Sequence, residues 1–160
     1  MATPDASNTG ITGITSIAQQ EQNMERFRRL ILVGFGQGDL AVVDELFAPD
    51  FVEHQAGVRP PSAAGVKGII AYLRQALPDL TYTIEDLAAS GDKVWGRLRS
   101  RGTHRGTFMG IPPTGAQIAI TVIDICRFVD GKIVEHWGVP DRLSLLEQIG
   151  ASVRPPQTPA

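Results

Sequence analysis

The stretch from Thr114 to Gly138, TGAQIAITVIDICRFVDGKIVEHWG, decides the fold. Between residues 117 and 128, every even position is apolar except for one carboxylate, Asp124. Because successive side chains of a strand face opposite sides of a sheet, this pattern predicts a strand with one buried face. A lone charge in a buried stripe is costly unless it is paired, hydrogen-bonded or neutralised. Asp124 is therefore the first residue to consider for chemistry.

A tight bend follows this strand. Asp130-Gly131 is the strongest short signal for a β-hairpin, so the next segment, residues 133–138, should fold back beside the strand. Counting back from the bend makes Asp124 and His136 near-opposite partners. A carboxylate held against an imidazole in an apolar pocket is a workable general base or acid at neutral pH.

The rest of the chain supplies helices first and a sheet afterwards. Apolar periodicity predicts helices at 17–35, 40–47, 66–77 and 141–149, and strands at 51–55, 80–89, 93–105, 117–128 and 133–138. This order predicts an α+β fold, with a curved antiparallel sheet wrapped around the N-terminal helices. The inward-facing positions would then line a conical pocket.

Composition limits the possible functions. The chain has 160 residues and a formal net charge of -2, which fits one domain and argues against nucleic acid as the main partner. It shows no signal peptide and no apolar run long enough to span a membrane, so we expect a cytoplasmic protein. The single cysteine, Cys126, excludes an internal disulfide. We expect one domain at 17–150, between a flexible N-terminal extension, 1–16, and a flexible proline-rich tail, 151–160.

Several motifs together resemble one known family. They are Phe51-Val52-Glu53-His54, the segment from Gly102 to Gly115 (GTHRGTFMGIPPTG), and Asp130-Gly131-Lys132-Ile133-Val134-Glu135-His136-Trp137 leading into Pro140-Asp141. On these residues the chain resembles the SnoaL-like polyketide cyclases of the nuclear transport factor 2-like superfamily, over roughly residues 20–150. The resemblance implies a cystatin-like α+β barrel.

The resemblance also implies a reaction in secondary metabolism, of the kind that serves antibiotic biosynthesis. These enzymes close a ring within an aromatic polyketide ester by an intramolecular aldol reaction, without a cofactor, and an aspartate acts as acid and base. One position departs from the family. The family's aspartate lies three residues before the position of Asp141, where this chain has Gly138.

We therefore predict a relocated proton-transfer centre. Asp124 and His136 would carry it, assisted by His104 or by His54. Substrate contacts are expected from a further set of residues, namely His54, Phe51, Tyr72, Met109, Phe128 and Gly138. The alternative for Asp124 is a structural buried acid, and for each histidine a satisfied core or rim position. No metal or cofactor is expected, because three scattered histidines do not match zinc spacing and no glycine-rich phosphate loop is present.

The outward positions of the sheet suggest a second copy of the chain as a partner. Trp95 and Trp137 have outward parity among polar neighbours, which favours a homodimer packed through this face. The arginine row at 97, 99 and 101 would share the face and pair with acids such as Glu135.

Two other functions stay open. One is an isomerase or hydrolase acting on a polyketide or terpenoid substrate. Its epoxide-hydrolase form is disfavoured, because that branch of the superfamily uses an Asp-Arg-Asp pocket and the arginines near Asp124 have outward parity. The other is a non-catalytic small-molecule-binding dimeric module that has lost the aspartate at position 138.

Overall fold

Four α-helices and five strands make up residues 15–151, the part of the chain that the computed structural model describes. The helices are α1 (Ile17–Arg29), α2 (Ala41–Leu46), α3 (Ala63–Ala76) and α4 (Arg142–Gln148); the strands are β1 (Phe47–Glu53), β2 (Thr81–Ser90), β3 (Lys93–Thr103), β4 (Gln117–Val129) and β5 (Lys132–Pro140). The predicted flexible ends lie almost wholly outside these residues. No helix within 15–151 is long and apolar enough to cross a membrane.

The strands form one sheet in the order β1-β5-β4-β3-β2. All neighbours are antiparallel except β1 and β5, which run parallel. The bend between β4 and β5 uses left-handed backbone at Asp130 (φ 48°) and Gly131 (φ 75°), as a two-residue hairpin turn requires. The predicted α+β architecture is therefore confirmed.

One face of the sheet is packed against the helices. The even positions of β4 are at most 7% exposed, which confirms the buried stripe predicted around Asp124. Helix α1 covers this face, and its Phe27 ring lies against Gly96 of β3, where a Cβ atom would come within 2.6 Å of the ring. Gly96 is therefore the position that lets α1 approach the sheet.

Two predicted boundaries differ from the structure. The first helix does not run as one α-helix to residue 35, since it changes at Leu30 into a π-helical segment, Leu30–Phe35. The first strand begins at Phe47 and not at residue 51. Its pairing with β5 is irregular between Phe47 and Val52, so Pro49, which has no N–H to donate, lies in the bulged part of an edge strand.

The outer face of the sheet carries apolar and charged side chains together. Trp95 is 45% exposed and Val139 is 66% exposed, as the outward parity predicts. The predicted pairing of the arginine row with Glu135 is wrong for Arg97, which pairs with Glu85 and Asp86 beside a bulge in β2. Glu135 is instead bound by Arg127 of the neighbouring strand, 2.6 Å away. The homodimer stays a prediction.

Two glycines of α3 should respond oppositely to alanine. A Cβ at Gly65 would lie 1.9 Å from the carbonyl oxygen of Pro60, whereas one at Gly68 would meet nothing within 4 Å. We expect Gly65→Ala to destabilise the fold by about 1–3 kcal/mol or more, because backbone must move. Gly68→Ala should stabilise it by roughly 0.5–1 kcal/mol through helix propensity. Urea unfolding midpoints test this, and equal effects of the two substitutions would contradict the packing described for α3.

Candidate active site

Asp124 lies between two glycines on the inner face of the sheet. The strand register places it beside Gly96 of β3 on one side and Gly138 of β5 on the other. The ring of Phe27 fills the space over Gly96, and the amide of Gln55 fills the space over Gly138, where a Cβ would lie 2.0 Å from the Gln55 Oε1. Thus Gln55 occupies the place of a side chain at position 138.

Asp124 is one of three buried ionisable side chains that form a chain of contacts, and the other two, His136 and Glu53, lie behind it. His136 donates from Nδ1 to Glu53, at 2.8 Å from Oε2, and its Nε2 lies 3.4 Å from Oδ1 of Asp124. Each of the three residues is at most 5% exposed. Glu53 faces His136 because β1 and β5 pair in parallel register at these residues. Its Oε1 also accepts the N–H of Gln55 at 2.7 Å, which fixes the loop after β1.

The two carboxylates determine the charge of His136. Burial by itself lowers the pKa of this imidazole, but hydrogen bonds and ion pairing with Asp124 and Glu53 outweigh burial and raise the pKa to about 10. His136 is therefore an imidazolium at neutral pH. It places a positive charge directly behind Asp124.

In front of Asp124 lies a cavity of about 260 Å³ between the sheet and the helices. Most of its wall is apolar, from Phe35, Ile69, Leu73, Leu77, Leu80, Phe108, Met109, Ile120, Val122, Pro140 and Leu145, with Gly57 at the edge. Six side chains with polar groups complete the wall, namely Gln55, Tyr72, Tyr82, Ser100, Asp124 and Arg142. An apolar cavity with a few convergent polar groups is the usual form of a small-molecule site.

Two hydroxyl groups reach the cavity from neighbouring strands. Tyr82 of β2 and Ser100 of β3 are direct cross-strand partners. Burial and the negative charge of Asp124 raise the pKa of Tyr82 well above its ordinary value. The phenol therefore keeps its proton across the neutral range and can donate a hydrogen bond to an oxygen atom of a ligand.

The structure brings together part of the predicted site. Asp124 and His136 are in contact, although His136 lies directly opposite Cys126 and Gly138 lies opposite Asp124. Tyr72 and Met109 both line the cavity, where the Tyr72 hydroxyl accepts the backbone N–H of Met109 at 2.6 Å.

The other two histidines lie elsewhere. His104 is fully buried at the far end of β3, eight residues beyond Gly96 and so roughly 25 Å along the strand. There its Nδ1 accepts the N–H of Thr114 at 3.3 Å and holds the following loop. His54 follows the inward-facing Glu53, so it points outward and stacks on Trp137, with ring centroids 4.6 Å apart. Neither histidine lines the cavity, which corrects the expected assistance to Asp124.

Two predicted lining residues are core residues. Phe51 packs on Phe47, with ring centroids 4.3 Å apart, and Phe128 is 3% exposed near the hairpin. Both belong to the hydrophobic core, and neither is among the cavity walls. Phe128 has the inward parity predicted for it, but both rings are buried in the core and do not reach the cavity.

Sequence reasoning missed five polar residues of the site, Glu53, Gln55, Tyr82, Ser100 and Arg142. For Ser100 a signal existed, because it is a polar residue on the inward parity of β3. Glu53 is placed by the parallel pairing of β1 with β5, which leaves no local sequence pattern.

Comparison with known proteins gives a consistent result. The family model described as SnoaL-like polyketide cyclase matches residues 25–149. The aklanonic acid methyl ester cyclase DauD of Streptomyces sp. (strain C5) is 30% identical over 111 residues, covering 68% of this chain and 67% of DauD. The nogalonic acid methyl ester cyclase of Streptomyces nogalater is 30% identical over 122 residues, which cover 72% of this chain and 89% of the cyclase.

Solved structures share the fold. IdmH of Streptomyces antibioticus, a candidate polyketide cyclase, superposes with a TM-score of 0.72 at 37% identity, over 81% of this chain and 99% of IdmH. AclR of Streptomyces galilaeus, a candidate hydroxylase, gives a TM-score of 0.74 at 29% identity, over 82% of this chain and 97% of AclR. One fold thus carries different assigned reactions, and the reaction must be argued from the site.

The raised pKa of His136 predicts a pH dependence of stability. Folding raises this pKa from 6.5 to about 10, so the stabilisation is fully present below pH 6.5 and is lost as the pH rises towards 10. We expect the free energy of unfolding to fall by on the order of a few kcal/mol across this window. Histidine ring NMR should show His136 still protonated at pH 8, whereas in Glu53→Gln its pKa should drop.

The control is His54→Gln, which removes an outer histidine bound to Glu135 at 3.2 Å and leaves the inner contacts intact. Its stability profile should keep the slope between pH 6.5 and 10. If the imidazole of His136 titrated near its ordinary value in the wild type, the buried ion contacts described for the inner face would be wrong.

Proposed function

The chain belongs to the SnoaL-like polyketide cyclase family, and on this premise we propose that it is a cofactor-independent cyclase that closes a ring within a hydrophobic, oxygenated polyketide. Asp124 is the acid and base of this reaction. The single observation that carries the proposal is the position of its carboxylate, which faces an apolar cavity while its other side contacts a buried imidazolium.

The reaction balances without a cofactor. The Asp124 carboxylate removes a proton from an acidic C–H between two carbonyl groups, which leaves an enolate. The enolate carbon attacks a second carbonyl carbon of the same molecule, a C–C bond forms and the carbonyl oxygen becomes an alkoxide. The carboxylic acid of Asp124 then returns its proton to that alkoxide, so the carboxylate is regenerated.

His136 and Glu53 support this cycle from behind. The imidazolium lies 3.4 Å behind the Asp124 carboxylate, and Glu53 holds the ring with a 2.8 Å hydrogen bond. Since neither residue lines the cavity, they act as positioning residues and not as groups that touch the substrate. The contact of His136 with Oδ1 helps to orient the Asp124 carboxylate, and a fixed orientation favours proton transfer over a short distance.

Hydrogen-bond donors on the cavity wall suit the developing oxygen charge. The hydroxyls of Tyr82 and Ser100 and the amide of Gln55 face the same space as Asp124. Donors fixed in a dry cavity stabilise an enolate or an alkoxide more strongly than water does. The neutral amide of Gln55 thus lies over Gly138, and the acid/base group is Asp124 on the adjacent strand, β4.

Substitution of Asp124 tests the proposal without knowledge of the natural substrate. A general base should catalyse exchange of the acidic methylene protons of a small β-keto ester, such as ethyl benzoylacetate, into deuterium oxide, followed by proton NMR. We expect Asp124→Asn to lower this rate by about 10²–10⁴-fold, with ligand affinity nearly unchanged. Glu53→Gln should give a smaller loss and a shifted pH profile.

The matched control is Asp86→Asn, which removes an outer carboxylate paired with Arg97. Its exchange rate should equal that of the wild type. If wild type and Asp124→Asn bound the ester equally and neither exceeded the rate in buffer, the protein would be a binding module and the cyclase proposal would be rejected.

A further inference from the structure

The wall of the cavity contains two charged side chains of opposite sign. Of the eighteen residues that line it, sixteen are uncharged, and the charged ones are Asp124 and Arg142. Resting on the function proposed above, we propose that Arg142 binds an ionised carboxylate of the substrate, so that the natural substrate is a free acid and not a neutral ester.

Arg142 is held in place without being neutralised. Its Nη2 donates to the carbonyl oxygen of Ala56 at 2.5 Å, and its guanidinium lies against Gly57, where a Cβ would come within 3.3 Å of Nη1. Within residues 15–151 it forms no ion pair. By contrast, Arg97 and Arg127 on the outer face each bind carboxylates. The guanidinium therefore retains donors and a full positive charge beside the cavity.

The distribution of charge favours an anion at this position. Glu53, His136 and Asp124 together carry one more negative than positive charge, so an anionic group is repelled from the Asp124 end. Arg142 follows Gly138, the cross-strand partner of Asp124, by four residues, so the Cα atoms of Gly138 and Arg142 are at most about 13 Å apart, and both charged side chains line the same cavity. A ligand can thus place its carboxylate at Arg142 and its reacting C–H at Asp124.

The chemistry of the guanidinium specifies the ligand class. An arginine presents paired N–H donors that match the two oxygens of a carboxylate, and such charge-assisted bonds are stronger than those to a neutral ester carbonyl. The relatives DauD and the nogalonic acid enzyme are named for methyl esters. We expect this chain, unlike those two enzymes as named, to prefer a free acid over its methyl ester. The flat apolar part of that substrate would fill the rest of the cavity.

A pair of probes differing only in this charge tests the proposal. Isothermal titration should compare anthraquinone-2-carboxylate with its methyl ester at neutral pH. The wild type should bind the acid roughly ten- to a hundredfold more tightly than the ester. Arg142→Gln should lose this preference by weakening acid binding alone. Arg142→Lys should keep part of it, because the charge remains without the paired donors.

Two control variants separate the possible failures. Arg97→Gln removes an outer arginine and should keep the full preference. Asp124→Asn should keep it as well, even if methylene exchange is abolished, so the carboxylate preference and the acid/base function can fail independently. Equal acid-to-ester ratios in wild type and folded Arg142→Gln would overturn the proposal, and so would a folded wild type that binds neither probe. If Arg142→Gln does not fold, the ratio in Arg142→Lys decides, and an Arg142→Lys ratio equal to that of the wild type rejects the proposal.

Discussion

Two carboxylates buried beside one imidazolium are the interaction on which the inner face of this sheet depends. Glu53, His136 and Asp124 come from three adjacent strands, β1, β5 and β4. A buried charge without a partner is strongly destabilising, so each of the three requires the others. The contact between Glu53 and His136 joins the parallel edge strand β1 to the hairpin, and the contact between His136 and Asp124 orients the carboxylate that faces the cavity. The same three side chains therefore stabilise the sheet and position Asp124.

Two glycines, Gly96 and Gly138, flank Asp124 on the neighbouring strands and leave room for side chains from other elements. Gly96 admits the ring of Phe27, which closes the hydrophobic core, and Gly138 admits the amide of Gln55, which adds a hydrogen-bonding group to the cavity. The family resemblance implies an acid/base aspartate at position 138, where this chain has glycine, and the Asp124 carboxylate lies on the adjacent strand in direct register with that position.

Local sequence patterns predicted the hairpin well and the remote contacts poorly. The alternation in β4 and the Asp130-Gly131 bend were sufficient to bring Asp124 near His136, because both signals act over a few residues. The role of Glu53 has no local signal in the sequence, since its partner His136 lies 83 residues away. Arg142 is the first residue of α4, after the Asp141 cap, and periodicity at a helix end does not show which way a side chain points.

The parallel pairing of β1 with β5 has a consequence for biosynthesis. Glu53 leaves the ribosome long before His136 is made, so β1 must wait for its partner while β2, β3 and β4 are still being synthesised. During that interval its backbone is open to pairing with another nascent chain. Pro49 lies in the irregularly paired part of β1, between Phe47 and Val52, and has no N–H to donate to a foreign strand. The strand that carries Glu53 therefore offers one backbone donor fewer while its partner is still being made.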